Sequence, residues 1–341
     1  MKKNMFIYWI VILALGLCQS QSFGADKKLA QTGFQFLSVA TEARAAAMGE
    51  AFTTVPGNSL SLFHNPANLP LMNTFMDLSI NQNKWFADMV HYSASIALNP
   101  AYGKYGTFGF TVMSVDYGEF LGTRVDPTTE KGFIDTGTFS PSAFAFGIGY
   151  GKALTDRFSV GGHIRYVSQK LGSSVVPVGE VSEGVTKEVN NDLSVFAVDF
   201  GTVYRTGFKS LVFGMTVRNF SQEVKFESEG FQLPLTFKMG ISMNVFDLFM
   251  EPKAPHSLLV SIDAIHPRDY SEQLNFGAEY MMMNMLALRL GYMYNRDEQD
   301  FTFGFGVQTK YFGDRMIALD YSYTPFGVFD NVQRASFRLS L

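Results

Sequence analysis

Cysteine is all but missing from this 341-residue chain, whose single one, Cys18, stands close to the N-terminus. A fold stapled by disulfides is thereby excluded. Charge is scarce as well: Asp, Glu, Lys and Arg make up 17%, below the roughly 25% of ordinary soluble domains. With 47% hydrophobic residues and so little charge, the chain cannot be intrinsically disordered. The formal net charge is −4 and no Lys/Arg cluster stands out, so no nucleic-acid partner is expected. Past the N-terminal stretch no apolar run reaches the length of a transmembrane helix. His64, His91, His163, His256 and His266 are too scattered for a ligand set, and there is no G-x-S-x-G elbow. Catalytic, metal and cofactor sites are therefore not expected, and the chain does not read as an enzyme.

Aromatic residues and glycine are what the chain has in quantity, with 34 Phe, 15 Tyr and 31 Gly. Residues 1–24 come first. Lys2 and Lys3 precede a nearly continuous apolar stretch from Met5 to Cys18, and small or polar residues follow before Asp26, Lys27 and Lys28. This is the pattern of a cleaved secretory signal, too short for a comfortable membrane anchor. Lipidation at Cys18 is disfavoured because bulky Leu17 precedes it.

The remainder alternates with period two. Phe144, Phe146, Ile148 and Tyr150 are separated by Ala145, Gly147 and Gly149; Leu286, Leu288, Leu290, Tyr292 and Tyr294 alternate with Ala287, Arg289, Gly291 and Met293. Such segments carry one greasy face and one small or polar face. A soluble sandwich also alternates, but these runs are longer than the five or six residues usual in globular sheets. Strands of about 9–11 residues, apolar outside and polar inside, are those of a transmembrane barrel.

Fourteen strands are expected, near 75–82, 85–98, 104–117, 142–152, 157–170, 193–204, 209–219, 234–246, 256–266, 273–283, 285–295, 300–311, 315–324 and 331–341. The count is even, as in bacterial single-chain barrels. Long connections (118–141, 171–192, 220–233) fall on one side and short ones (99–103, 153–156, 205–208) on the other, matching outer loops and periplasmic turns. Tyr150, Tyr204 and Tyr311 fall at the inner strand ends, and Tyr166, Tyr294 and Tyr323 at the outer ends, as in aromatic girdles. The final alternation, Phe337, Leu339 and Leu341, has the form of a signal read by barrel-assembly machinery.

The expected lumen face carries Arg165, Lys238, Asp263, Glu279, Arg289, Lys310, Asp320 and Arg338. Mixed signs inside a barrel must pair or hold water. A structural polar network among Arg165, Glu279, Arg289, Asp320 and Arg338 is preferred over an ion-selective pore. A barrel of this size leaves lumen to fill. Residues 25–72 do not alternate and are the candidate plug, ahead of a barrel at 73–341. Within them 41–48 is Ala-rich and reads as a short helix with Thr41 as N-cap and Gly49 closing it; Asn65-Pro66 marks a turn or an extended corner.

The segment 43–52, ARAAAMGEAF, followed by HNPANL at 64–69, resembles the N-terminal signature of the PorV/PorQ family, part of the wider FadL-like group of outer-membrane barrels. The blocks 146–169 and 274–341 resemble the barrel of the same family. The resemblance implies a fourteen-stranded barrel with an N-terminal hatch, whose motif falls on Arg44, Met48, Gly49, Asn65, Pro66 and Ala67. Two positions depart from the pattern: Glu50 stands where a second glycine is usual, and Asn68 where glycine is common. The resemblance also implies a bacterial outer-membrane component associated with type IX secretion, binding a secreted cargo or a surface-attachment protein through its outer loops. The FadL-like relationship implies a second function, passive transport of hydrophobic small molecules. A barrel that only supports membrane architecture is the third possibility. Outer-membrane lipid and the barrel-assembly machinery complete the expected partners.

Overall fold

The chain is described by a computed structural model over residues 32–341, except 57, 127, 178–185, 227–228, 250–254 and 314. The expected signal segment and Cys18 lie outside the described residues. Alternation governs the strands: in Thr107–Asp116 every second side chain is buried and every other exposed, and Ser142–Ala153 repeats this in opposite phase.

The strands are β1 (Met76–Lys84), β2 (Val90–Leu98), β3 (Thr107–Asp116), β4 (Phe120–Val125), β5 (Phe133–Phe139) and β6 (Ser142–Ala153). Next come β7 (Phe158–Pro177), β8 (Thr186–Arg205), β9 (Val212–Phe220), β10 (Val224–Lys225), β11 (Gly230–Phe231) and β12 (Thr236–Asn244). The last are β13 (His256–Pro267), β14 (Gln273–Met282), β15 (Leu286–Tyr294), β16 (Phe301–Phe312), β17 (Arg315–Thr324) and β18 (Val332–Ser340). All but β4, β5, β10 and β11 form one closed, wholly antiparallel barrel of fourteen strands, with β1 against β18 at the seam, where Ile80 faces Phe337. Closure leaves no unpaired edge to face lipid. Register sets outward pairs such as Phe110 with Ile148 and Val112 with Phe146, and inward pairs such as Gly109 with Gly149.

All fourteen expected strands are present, and the differences lie in their connections. The first hairpin turns at 85–89 rather than 83–84: Val90 pairs with Lys84, and the Trp85 amide donates to the Met89 carbonyl at 2.9 Å. Loop 118–141 contains the hairpin β4–β5, and β7 and β8 run past the barrel wall to Pro177 and from Thr186. The partner strand across each ribbon satisfies its backbone outside the bilayer as well as within it. These long excursions share one end of the barrel, which is the outer end. The C-terminus is at the other, where Leu341 and Met76 exchange backbone hydrogen bonds of 2.7 and 3.0 Å.

The core is inside the barrel. The segment from Thr32 to β1 begins at the outer mouth, descends through the lumen and joins β1 at the inner end. It contains a one-turn α-helix, Ala43–Ala47, and 3₁₀ turns at Gln35–Ser38, Ser59–Phe63 and Pro66–Leu71. The N-cap of the α-helix is Glu42, not Thr41: its carboxylate accepts from the Ala45 and Arg44 amides at 2.8 and 2.6 Å. Two amides outweigh what one hydroxyl could accept, and the Thr41 hydroxyl has no hydrogen-bond partner among the described residues. At the other end the Gly49 and Glu50 amides donate to Ala46 and Ala45, closing the helix with Gly49 at φ 61°.

Candidate functional site

The site is the lumen where the N-terminal segment meets the inward faces of the strands. Along β14–β17 the register brings Glu279 opposite Arg289 and Gly306 opposite Asp320. Arg44 clasps Glu279 with two hydrogen bonds of 2.6 and 2.7 Å, and Arg289 donates to Glu279 at 2.6 Å and to Asp320 at 2.7 Å. Arg289 reaches across β16 because Gly306 has no side chain; a Cβ there would stand 2.7 Å from its guanidinium. Four charges of alternating sign thus satisfy one another out of water, the condition under which buried ions are tolerable.

Of the residues expected to form a polar network, Glu279, Arg289 and Asp320 come together, joined by Arg44 from the segment. Arg165 lies elsewhere, bound to Asp199 at 2.7 Å and Asn219 at 2.6 Å, with His163 3.3 Å from the same aspartate. Arg338 meets no carboxylate among the described residues and contacts Met316 Sδ at 4.0 Å. Neither separation is visible in alternation, which reports the face of a side chain but not its height or its neighbour. Lys310, expected on the lumen face, is exposed.

Three further anchors hold the segment. Asp263 accepts from the amides of Phe52 and Thr53, both at 3.0 Å, and from the Thr53 hydroxyl at 2.6 Å. Asn65 donates to the carbonyls of Thr53 and Thr202 at 3.0 and 3.2 Å, while its oxygen caps Ala67 at 3.1 Å. Asp77 accepts from the amide and hydroxyl of Ser59 at 2.9 and 2.6 Å. Pro66 starts the third 3₁₀ turn and Met48 packs with Ala45, Phe52 and Val55. At Gly291 the approach is so close that a Cβ would lie 2.0 Å from the Gly49 nitrogen. Phe337 and Leu339 stand opposite Leu319 and Ile317 in the strand that closes the barrel.

Acidity follows from burial. His64 lies 3.6 Å from Glu42, beyond hydrogen-bond reach, and its Nε2 has no hydrogen-bond partner among the described residues. Burial pushes its basicity below the ordinary imidazole value despite the nearby carboxylate. Burial would raise Glu42, but His64, the Ala45 amide and Arg44 together hold it below the usual carboxylate range.

Above the segment, at the outer mouth, is a cavity of about 850 Å³. Phe34, Phe36, Trp85, Phe86, Phe226 and Phe326 wall it, and its charged groups are Glu50, Arg296, Asp297 and Glu298. A smaller cavity of about 390 Å³ lies around Pro70 and 153–159, on the side of the short turns. Between the two the segment is closely packed, with Ala45, Met48, Ala51 and Leu62 buried. Among the described residues no cluster of three His, Cys, Asp or Glu could hold a metal ion.

A closed antiparallel barrel, greasy outside and polar within, defines a bacterial outer-membrane β-barrel protein. Residues 134–341 match the family of the type IX secretion system membrane protein PorP/SprF, and the chain belongs to that family. It is a family of membrane proteins, not of enzymes. No curated protein is significantly similar in sequence. Solved structures share the fold. The toluene transporter TbuX of Ralstonia pickettii is 12% identical, with a TM-score of 0.57 over 88% of this chain and 98% of that one. The toluene transporter TodX of Pseudomonas putida is 15% identical, with a TM-score of 0.55 over 88% and 96%. A FadL homologue of Pseudomonas aeruginosa is 12% identical, with a TM-score of 0.52 over 89% and 98%. The matched stretch excludes the 43–69 signature but includes the blocks 146–169 and 274–341, and the family it names is PorP/SprF rather than PorV/PorQ.

Proposed function

We propose that this chain is a non-conducting component of type IX protein secretion. In this reading 25–72 is a hatch, and an exported protein or a surface-attachment partner is received at the outer loops, as the PorV/PorQ resemblance implies. The observation that carries it is the fastening of the lumen segment: Arg44, Thr53, Asn65 and Ser59 each bind strand residues through buried or part-buried hydrogen bonds. A conduit for solutes would have to break these anchors at every passage. The hairpins β4–β5 and β7–β8 stand beyond the barrel wall, where a partner would dock. The end of β18 would be read by barrel-assembly machinery during insertion.

Passive transport of hydrophobic small molecules is the second reading, and the aromatic outer cavity favours it. Three experiments separate them. Protein in planar bilayers should show no steady conductance, and proteoliposomes should not take up labelled hydrocarbons faster than protein-free vesicles. Crosslinking on intact cells should capture secreted protein through 120–139, and deleting that hairpin should abolish capture. Uptake without capture would overturn the first reading and support the second.

A further inference from the structure

Beyond the barrel wall, β4 and β5 pair with each other and with no third strand among the described residues. Each therefore keeps one edge whose backbone N–H and C=O groups meet no partner strand. Such an edge is a template for a further strand unless proline, lysine or a bulge guards it. β5 is guarded. Its register passes from Gly137 opposite Gly122 to Asp135 opposite Thr123, which leaves Thr136 as an extra residue, and Gly137 is at φ 97°. A bulge of this kind bends its strand and interrupts regular pairing. β4 has no such defence: Phe120–Val125 runs unbroken without proline or lysine, and its one charge, Arg124, is half-buried.

The two faces of the hairpin also differ. On one, the rings of Phe120 and Phe139 stack at 5.8 Å, and Phe139 packs over Gly172 of β7, where a Cβ would meet the ring at 2.9 Å. The other face carries Leu121, Val125 and Phe133, which are 78, 71 and 40% exposed. Val125 stands opposite Phe133, and Leu121 shares their side of the pleat. A third strand along β4 would satisfy the open edge and cover this apolar row at once. The connection 117–141 sets Glu119, Asp126, Glu130 and Asp135 against Arg124 and Lys131, so a strand with basic ends complements it.

We infer that an extended segment of an exported polypeptide, apolar at alternate positions and flanked by Lys or Arg, adds to the edge of β4 as a third strand. Main-chain hydrogen bonds supply the affinity, and contacts with Leu121 and Val125 fix the register. The inference rests on the secretion reading, in which a polypeptide is received at the outer loops.

Full-length mature protein in lipid nanodiscs is titrated with a capped peptide that alternates valine and threonine between two terminal lysines, and with the same peptide N-methylated at its interior residues. Methylation keeps the side chains and the charge but removes the main-chain donors, so binding should fall about tenfold or more. The isotope-edited infrared spectrum of the bound, carbonyl-labelled parent peptide should show the amide shift of a paired strand. Leu121→Ser combined with Val125→Ser should weaken the parent peptide about tenfold. Both side chains are exposed on the hairpin, so the double variant should keep the heat-modifiable band of a folded barrel. Equal binding of the two peptides, or an affinity that the double variant leaves unchanged, would overturn the inference. So would a dimer in detergent that the same double variant dissolves, which would assign the edge to a second copy of this chain. Capture of secreted protein through 120–139 on intact cells is read separately. Capture without methylation-sensitive peptide binding overturns the strand addition and leaves the secretion reading standing; peptide binding without capture overturns that reading and leaves the edge a polypeptide site.

Discussion

Arg44 and Glu279 lie 235 positions apart in the chain, yet they form a two-pronged ion pair of 2.6 and 2.7 Å inside the barrel. It ties the lumen segment to β14 and through Arg289 to β15 and β17.

Removing one partner should therefore cost more than an ordinary surface pair. Arg44→Ala leaves Glu279 still paired with Arg289, so the cost should stay below the about 3–5 kcal/mol of a fully unpaired buried charge. The barrel's own ladder is untouched, so the loss should appear as undocking of the segment. Limited proteolysis should cut Arg44→Ala within 32–72 while the strands stay protected; equal resistance of variant and parent would refute the assignment.

Gly291 tests the close approach. A valine there drives carbon into the Gly49 backbone, and overpacking of this kind costs about 1–3 kcal/mol. The thermal midpoint of the heat-modifiable band should fall. The same substitution at Gly313, where a Cβ meets nothing within 4 Å but φ is 60°, would strain only a turn and should leave the segment docked.

Glu50→Gly relieves the left-handed backbone, worth about 1 kcal/mol, but also removes the carboxylate beside Arg296, so it is compared with Glu50→Gln, which removes the charge alone. Gly49→Ala should destabilise, because its Cβ would press on the Phe276 carbonyl at 3.0 Å and its φ is 61°. Hydrogen exchange of the 43–52 amides measures all three: Glu50→Gly should be better protected than Glu50→Gln, and Gly49→Ala less protected than the parent.

Acid should loosen the segment in two stages. The folded basicity of His64 lies below its ordinary value of 6.5, so its contribution is whole above pH 6.5 and is lost as pH falls below it. Glu42 is also depressed, from 4.5, and its contribution is lost as pH falls through its lower folded value. Segment exchange should therefore accelerate first between pH 6.5 and 4.5. His64→Gln should flatten that first stage and also shift the second, because His64 is one of the groups that hold Glu42 down. A parent protein with exchange protection unchanged across the first window would count against a buried neutral His64.

The barrel was legible because period two is a local property: each of Phe144, Phe146, Ile148 and Tyr150 declares its face within its own segment. The same locality explains the misplaced details. The 85–89 turn continues the polar and apolar sequence of its flanks, and Thr41 and Glu42 are both capable caps until a geometry favours one. Among the lumen charges, alternation placed Glu279, Arg289 and Asp320 inward. It was silent on Arg44, which sits in a segment with no such period.

By itself, then, the sequence determined the environment and the class: an aromatic-rich, charge-poor chain whose alternating strands are stable only when closed on themselves in a membrane. Which charges meet was decided by tertiary structure alone. Arg44 finds Glu279 and Arg165 finds Asp199, because strand register and the path of the lumen segment bring together residues that no local pattern connects.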